Sequence, residues 1–401
     1  IATDAEQLAE LLMRESGKPI RDARAEVGRA SLTFRTAAEE ALRINGEWLP
    51  LDWTVATRGR QGIVRRYPIG PVAAISPFNF PLNLAAHKVA PAIAAGCSIV
   101  LKPPSKDPLV MLRVAEYIAE TELPAGAVSV LPMDRPTGDL MVRDDRFKLL
   151  TFTGSPSVGW KMKADAGRKK VVLELGGNAG AIVDETADLD WAVARLVYGS
   201  FAYAGQVCIS VQRVYVVCDV YDEFERRFVE KVREVRSGAP SDPATDLGPM
   251  VDEAAVRRTD AWVREALAGG AHALVGGDPH GRFYPATVLV NVPRDARVCG
   301  EEVFAPVVNL FPVDTFDDAL AEINASRFGL QCGVFTASLE RALRAHDELE
   351  VGGVIVNDVP TWRIDHMPYG GVKESGLGRE GLRWSIDDMT EPRLLAIARP
   401  L

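Results

Sequence analysis

Apolar positions recur every three to four residues over 5–19 (AEQLAELLMRESGKP), and the stretch closes on Gly17 and Pro19, both helix stoppers. Residues 21–44 (RDARAEVGRASLTFRTAAEEALRI) keep that period and predict a long amphipathic helix. Over 46–68 alternation and β-branched residues take over, which predicts a strand or a hairpin. From Gly70 onward short apolar runs alternate with helical ones. VAAISP (72–77), SIVLKPP (98–104), AVSVLP (127–132), KLLTFTG (148–154) and VVLELGG (171–177) read as strands. PLNLAAHKVAPAIAAG (81–96), PLVMLRVAEYIAE (108–120) and PSVGWKMKADAG (156–167) read as helices. A second series follows, with the strands AGAIVDE and QRVYVVCD and helices over 188–205, 221–238 and 253–270. A Pro/Asp/Gly loop lies at 238–252; later come a strand near 306–312, a helix near 316–325, CGVFTA, LERALRAHDELE and the strand GVIVND. The apolar tail EPRLLAIARPL reads as an edge strand that needs a partner, such as another subunit. Strand–helix alternation predicts an α/β fold with a doubly wound parallel sheet. No repeat and no low-complexity tract interrupts it.

Composition narrows the class. The chain has 401 residues, a size for two or three domains, and a net charge of −9. With 47% hydrophobic and 25% charged residues it can fill a core, which excludes a disordered chain. The acidic balance argues against nucleic acid as a partner. No run of 18 apolar residues predicts a membrane span, and no signal peptide is visible. The first residues read as a helix already under way, without Met, so a preceding segment is expected. Five cysteines, an odd number with no CxxC pair, argue against a disulfide framework and a zinc site. Free thiols suit a reducing cytoplasm, and no metal is expected.

Four segments carry candidate chemistry, each with two readings. In PFNFP (77–81) the Asn79 amide either caps the next helix or points into a cleft. In FTGSPSVG (152–159) a strand ends in Gly154 and Ser155 before a helix, a place for a phosphate or merely a capped turn. In LELGGNAG (173–180) Glu174 lies inside an apolar strand, as a general base with a raised pKa or as half of a buried ion pair. In GQVCIS (205–210) Cys208 is a nucleophile or a plain buried thiol.

Together these segments are far more specific than any one. SPFNFPLN, VLKPP, FTGSPSVG, LELGGN, GQVCIS, EEVFAPV and MPYGGVKESGLGREG resemble, in order and spacing, the signature blocks of the aldehyde dehydrogenase superfamily, from the first residue to the last. The resemblance implies an aldehyde dehydrogenase-like fold in three parts. A Rossmann-type cofactor domain comprises 1–45 and 70–176, a catalytic α/β domain 177–385, and a bridging, oligomerising set of strands 46–69 with 386–401. A homodimer or homotetramer follows from that third part. Cys208 matches the nucleophile, Asn79 the oxyanion-hole amide, Glu174 the base that activates water, and Lys88 a lysine near the proton path. For NAD or NADP it implies Phe78, Lys102, Gly154, Ser155, Glu302 and Phe304, with Phe78 in place of a common Trp.

Ser105 stands where NAD-preferring members often have Glu. A neutral hydroxyl there, with Lys106 beside it, leaves room for NADP. The substrate tunnel is implied at His87, Val207, Ile209, Arg363 and His366, and its polar character points to a small polar or anionic aldehyde. The blocks look most like lactaldehyde, non-phosphorylating glyceraldehyde-3-phosphate and succinate-semialdehyde dehydrogenases. Two alternatives stand beside hydrolytic oxidation. One is a CoA-acylating relative, which Glu174 disfavours; the other is a non-catalytic scaffold, which the set of Asn79, Glu174 and Cys208 disfavours.

Overall fold

The computed structural model describes residues 1–398. A six-stranded sheet runs in the order Gly376–Leu377, Lys170–Glu174, Leu149–Thr153, Val72–Ile75, Ile99–Lys102, Val128–Val130. All its pairings are parallel except the first. Its inner strands are apolar on both faces because helices cover both. Along Val72–Ile75 the side chains alternate between two cores. Val72 and Ala74 pack with the helices Ala5–Ser16, Ile20–Ala41 and Asn83–Ala95. Ala73 and Ile75 pack with Arg135–Arg143 and Pro156–Asp165.

A seven-stranded sheet follows the same logic, in the order His272–Val275, Thr287–Val290, Val307–Val313, Val211–Val217, Ala179–Val183, Gln331–Phe335, Gly353–Val356. Only its first pairing is antiparallel. Ile182 and Tyr215 face one core, and Ala181 and Val214 the other. A third sheet is antiparallel, with Arg60–Pro68 between Glu47–Pro50 and Thr390–Ala398. Its side chains Trp48, Ile63, Leu394, Leu395 and Ile397 stand exposed.

The tail read as an edge strand is that nine-residue partner of Arg60–Pro68, from Thr390 to Ala398; residues 399–401 of the tail and of the bridging element lie outside the described residues. Several elements differ from the sequence reading. A helix, Arg135–Arg143, stands between the strands expected at 127–132 and 148–154; Pro136 and Gly138 hide its period, while the Asp134 side chain caps it through Thr137 N–H. The short strands His272–Val275 and Thr287–Val290 escaped the periodicity too. The helix read over 188–205 ends at Phe201. Tyr203, Ala204 and Gly205 then turn left-handed, at φ 48°, 54° and 64°. Two consecutive non-glycine residues in that region cost roughly 1–2 kcal/mol each, and this strained turn delivers Cys208.

Candidate active site

The carboxyl ends of four parallel strands, at Ile75, Lys102, Thr153 and Glu174, open onto one cleft of about 450 Å³. Ligands of open α/β sheets bind at that end, where helix N-termini point inward. Phe78, Asn79, Lys102, Ser105, Gly154, Ser155, Glu174, Cys208, Glu302 and Phe304 all line it. A second cavity of about 120 Å³ meets the first at Cys208 and Leu84. Val207, Ile209 and Arg363 line this second cavity, as does Arg29. The thiol therefore sits where two cavities join.

Cys208 Sγ lies 3.1 Å from Tyr369 Oη. Burial pushes the thiol up to about 12, so at neutral pH it holds its proton. Glu174, at the end of its strand, is buried, and neither carboxyl oxygen has a partner. Burial first, and the nearby Glu380 charge second, raise its carboxyl well above the usual range. Burial would raise Glu380 also, but the charges of Lys88 and Arg363 outweigh it and hold that carboxyl at about 2. Lys88 Nζ donates to Glu380 Oε1 at 3.0 Å and to Thr151 Oγ1 at 2.9 Å. Two buried carboxyls are thus driven apart, one poised to exchange a proton and one fixed as an anion, a pattern of acid–base sites. Lys88 itself lines neither cavity.

Asn79 does not cap the next helix, which starts at Asn83 after Leu82. Its Nδ2 donates to the Gln206 carbonyl at 3.1 Å, and its Oδ1 accepts from Phe80 N–H at 3.1 Å. That tethers the amide beside the Cys208 turn and leaves its second N–H for the cleft.

In the larger cleft, Glu302 Oε1 accepts from Gly177 N–H at 3.0 Å, and burial raises its carboxyl to about 7. Phe304, itself left-handed at φ 52°, meets Phe78 edge-on at 5.8 Å. Lys102 Nζ lies 3.3 Å from Ser105 Oγ. Ser155 precedes the helix Pro156–Asp165, and its hydroxyl caps nothing. The Lys106 charge is not free, as the sequence reading supposed: it is ion-paired with Asp252. The adjoining hollow, of about 480 Å³, is lined by Lys102, Ser105 and an unforeseen Arg135.

Two of the five tunnel residues are corrected. His87 lines neither cavity; its ring is buried with Nε2 2.8 Å from Asp365 Oδ1, and burial lowers its pKa, so it is a neutral strut. His366 is exposed and lines neither. Arg363 lines the smaller cavity: its guanidinium lies 3.6 Å over the Tyr369 ring, Nη2 donates to Glu380 Oε2 at 3.2 Å, and its buried Nε has no partner. Arg29 was missed. It grips Asp365 with Nη2 at 2.7 Å and Nε at 3.2 Å. Tyr369 and Glu380 were missed as well, though both lie within the quoted block MPYGGVKESGLGREG.

Residues 1–395 match the model of the aldehyde dehydrogenase family. The 3-sulfolactaldehyde dehydrogenase of Priestia megaterium is 45% identical over 393 residues, covering 98% of this chain and 82% of that protein. Aldehyde dehydrogenase 21 from Physcomitrella patens, solved in complex with the reaction product succinate, superposes with a TM-score of 0.97 at 49% identity, over 99% of this chain and 83% of that one. Glyceraldehyde-3-phosphate dehydrogenase GapN from Methanocaldococcus jannaschii, complexed with NADP, gives a TM-score of 0.95 at 39% identity, over 99% and 87%.

Proposed function

The chain belongs to the aldehyde dehydrogenase family, enzymes that oxidise aldehydes to carboxylic acids, and from that premise we propose that its substrate is a small anionic aldehyde and its hydride acceptor NADP or NAD. The observation that carries the substrate reading is the wall of the smaller cavity. Arg29 and Arg363 both line it, Arg29 bound to Asp365 and Arg363 sharing Glu380 with Lys88. The free Nε of Arg363 is a donor with nothing to bond. A carboxylate or sulfonate at the far end of a short aldehyde would accept from it. The relatives named for sulfolactaldehyde and solved with succinate support the same class.

The larger cleft fits a dinucleotide. The buried hydroxyls of Ser76 and Thr153 are without partners, and the amides at the start of Pro156–Asp165 are open to a phosphate. Gly176 lies so close to the Glu302 carboxylate that a Cβ would collide with it. Lys102 and Ser105 would hold the adenosine ribose, Ser155 and the Gly154 turn the pyrophosphate, and Glu302 the second ribose. Phe78 and Phe304 would flank the nicotinamide. Ser105 with Arg135 suits a 2′-phosphate, which favours NADP. When bound, the nicotinamide supplies a hydride acceptor.

The chain's own residues do the rest. Cys208 passes its proton to the free carboxylate of Glu174, which releases it to solvent before the second step, and the thiolate attacks the aldehyde carbon, forming a thiohemiacetal. The Asn79 amide and the Cys208 backbone N–H hold the oxygen as it becomes negative, a contribution of roughly 3–4 kcal/mol for such a donor. After oxidation a thioester remains, and Glu174 takes a proton from the water that hydrolyses it. Lys88 keeps Glu380 anionic behind Glu174. The free carboxyl of Glu174 favours water over CoA as the acyl acceptor.

The first sheet and its helices form the cofactor domain, the second the catalytic domain, and the three-stranded sheet joins subunits. Thr390–Ala398 and Gly353–Val356 are both open sheet edges, and pairing one with its counterpart in a second copy would close them. Five unpaired cysteines suit the cytoplasm. Among the described residues no helix is long and apolar enough to cross a membrane.

The test is NAD(P)H absorbance with succinate semialdehyde, glyceraldehyde-3-phosphate, lactaldehyde, propanal and benzaldehyde, each with NAD and NADP. Higher kcat/KM for the anionic members is the expected result. Preference for propanal or benzaldehyde overturns the substrate reading.

A further inference from the structure

Lys18 and Glu26 form an ion pair with both side chains 0% exposed. Charges so buried are costly unless every donor and acceptor is used. Here they are used, and on one short segment. Lys18 follows Gly17, whose left-handed φ of 73° ends the helix Ala5–Ser16 and turns the chain inward. Its Nζ donates to Glu26 Oε2 and, at 2.7 Å, to the backbone carbonyl of Asn79. The same ammonium lies 3.9 Å from the Phe80 ring centre and 4.3 Å from that of Tyr203. Glu26 spends its other oxygen, Oε1, on Leu82 N–H at 2.9 Å and Asn83 N–H at 3.1 Å. Those amides open the helix Asn83–Ala95, which has no cap of its own.

The pair thus grips residues 79–83 at both ends, by the carbonyl of Asn79 and by the first amides of the helix. It also braces Tyr203, in the left-handed turn that leads to Cys208. We infer that the buried Lys18–Glu26 pair is a positioning device for the Asn79 amide, fixing it against the Cys208 turn in readiness for the oxyanion. Lys18 and Glu26 touch no reacting atom. The inference rests on the oxyanion reading of Asn79 given above.

The test is a double-mutant cycle on the full chain. Lys18→Met with Glu26→Gln removes both charges together, leaves neither stranded, and keeps an amide oxygen for the two N–H groups. Stopped-flow NAD(P)H formation reads the burst rate; cofactor binding and Cys208 alkylation by iodoacetamide are read beside it. The burst rate is expected to fall about 10- to 100-fold, the scale of a 1 Å misplacement. KM, cofactor Kd and alkylation rate are expected to stay within about twofold. Introduced into Asn79→Ala, the same pair of changes should cost less than about threefold more. A purely structural role would lower Tm without this split.

A folded double variant with the wild-type burst rate overturns the inference, and so does full additivity with Asn79→Ala. If Asn79→Ala alone leaves the burst rate intact, the oxyanion reading fails and takes the inference with it. Should the double variant not fold, Glu26→Asp, which keeps both charges but draws the carboxylate back by one methylene, goes through the same cycle with the same criteria.

Discussion

Replacing Arg363 by Met keeps most of the volume over the Tyr369 ring and deletes the guanidinium from the smaller cavity. Two effects follow, and they separate. Loss of the Nη2–Glu380 contact at 3.2 Å frees one of the two cations that hold Glu380 down. Its carboxyl then drifts upward and the field at Glu174 changes, which alters turnover of every aldehyde alike. Loss of the unpartnered Nε acts only on a substrate that carries an anion. A hydrogen bond to a charged group is worth about 1.5–3 kcal/mol. At 1.4 kcal/mol per decade that is a tenfold to hundredfold change in kcat/KM. The assay therefore compares succinate semialdehyde with butanal, which has the same chain length and no carboxylate. The ratio of their kcat/KM values cancels the shared effect and should fall by that tenfold to hundredfold. An unchanged ratio, with both values lowered together, refutes the reasoning and makes Arg363 a strut for Glu380 and Tyr369.

Cys208→Ala should abolish aldehyde oxidation while NAD(P)H binding, read by fluorescence, stays intact; residual steady-state turnover would show another nucleophile. Glu174→Gln should leave a burst of about one NAD(P)H per active site followed by slow turnover, and equal burst and steady rates would remove its role in hydrolysis. The raised Glu174 pKa also has a sign for stability: the folded protein binds this proton more tightly than the unfolded chain, so its contribution falls as pH rises above the ordinary carboxyl range. The Tm gain of Glu174→Gln over wild type should accordingly widen between pH 5 and pH 8, and a gap independent of pH would contradict the assigned shift. Leu395→Asp with Ile397→Asp, on one face of the exposed last strand, should shift the particle mass measured by light scattering to that of a monomer; an unchanged mass would place the subunit contact elsewhere.

The framework was legible because its signal is local. Strands such as Val72–Ile75 are apolar on both faces and need no partner to be recognised. Glu174 stood out since a carboxylate in such a strand has no ordinary place, and the structure leaves both its oxygens free. Asn79 was ambiguous in sequence, and the ambiguity ended only when the helix proved to start four residues later. Arg29 lies on a helix whose polar residues all look alike in sequence. Nothing in its spacing says that it reaches Asp365, 336 positions away. The same distance problem misled the reading of His87 and His366. The path of the loop around Asp365 turns Arg363 inward, leaves His366 outside and sets His87 behind the wall, and no periodicity encodes a loop path. The helix Arg135–Arg143 was lost because it is short and carries Gly138, whose local preference its capping and burial override, while Pro136 sits in the first turn, where proline is at home.

The left-handed turn at Tyr203–Gly205 bears on how this enzyme can be re-engineered. Gly205 presses against the backbone carbonyl of Ala305, one residue past Phe304, so closely that any side chain there collides with it. The segment presenting the thiol and the segment presenting Glu302 and Phe304 are thus keyed to each other through main-chain atoms. A side chain introduced at Gly205 will therefore displace the segment of Glu302 and Phe304 along with the one that presents Cys208. Diversity placed at Arg29, which lines the smaller cavity and bonds Asp365 instead of the Cys208 segment, explores new aldehydes without touching that joint.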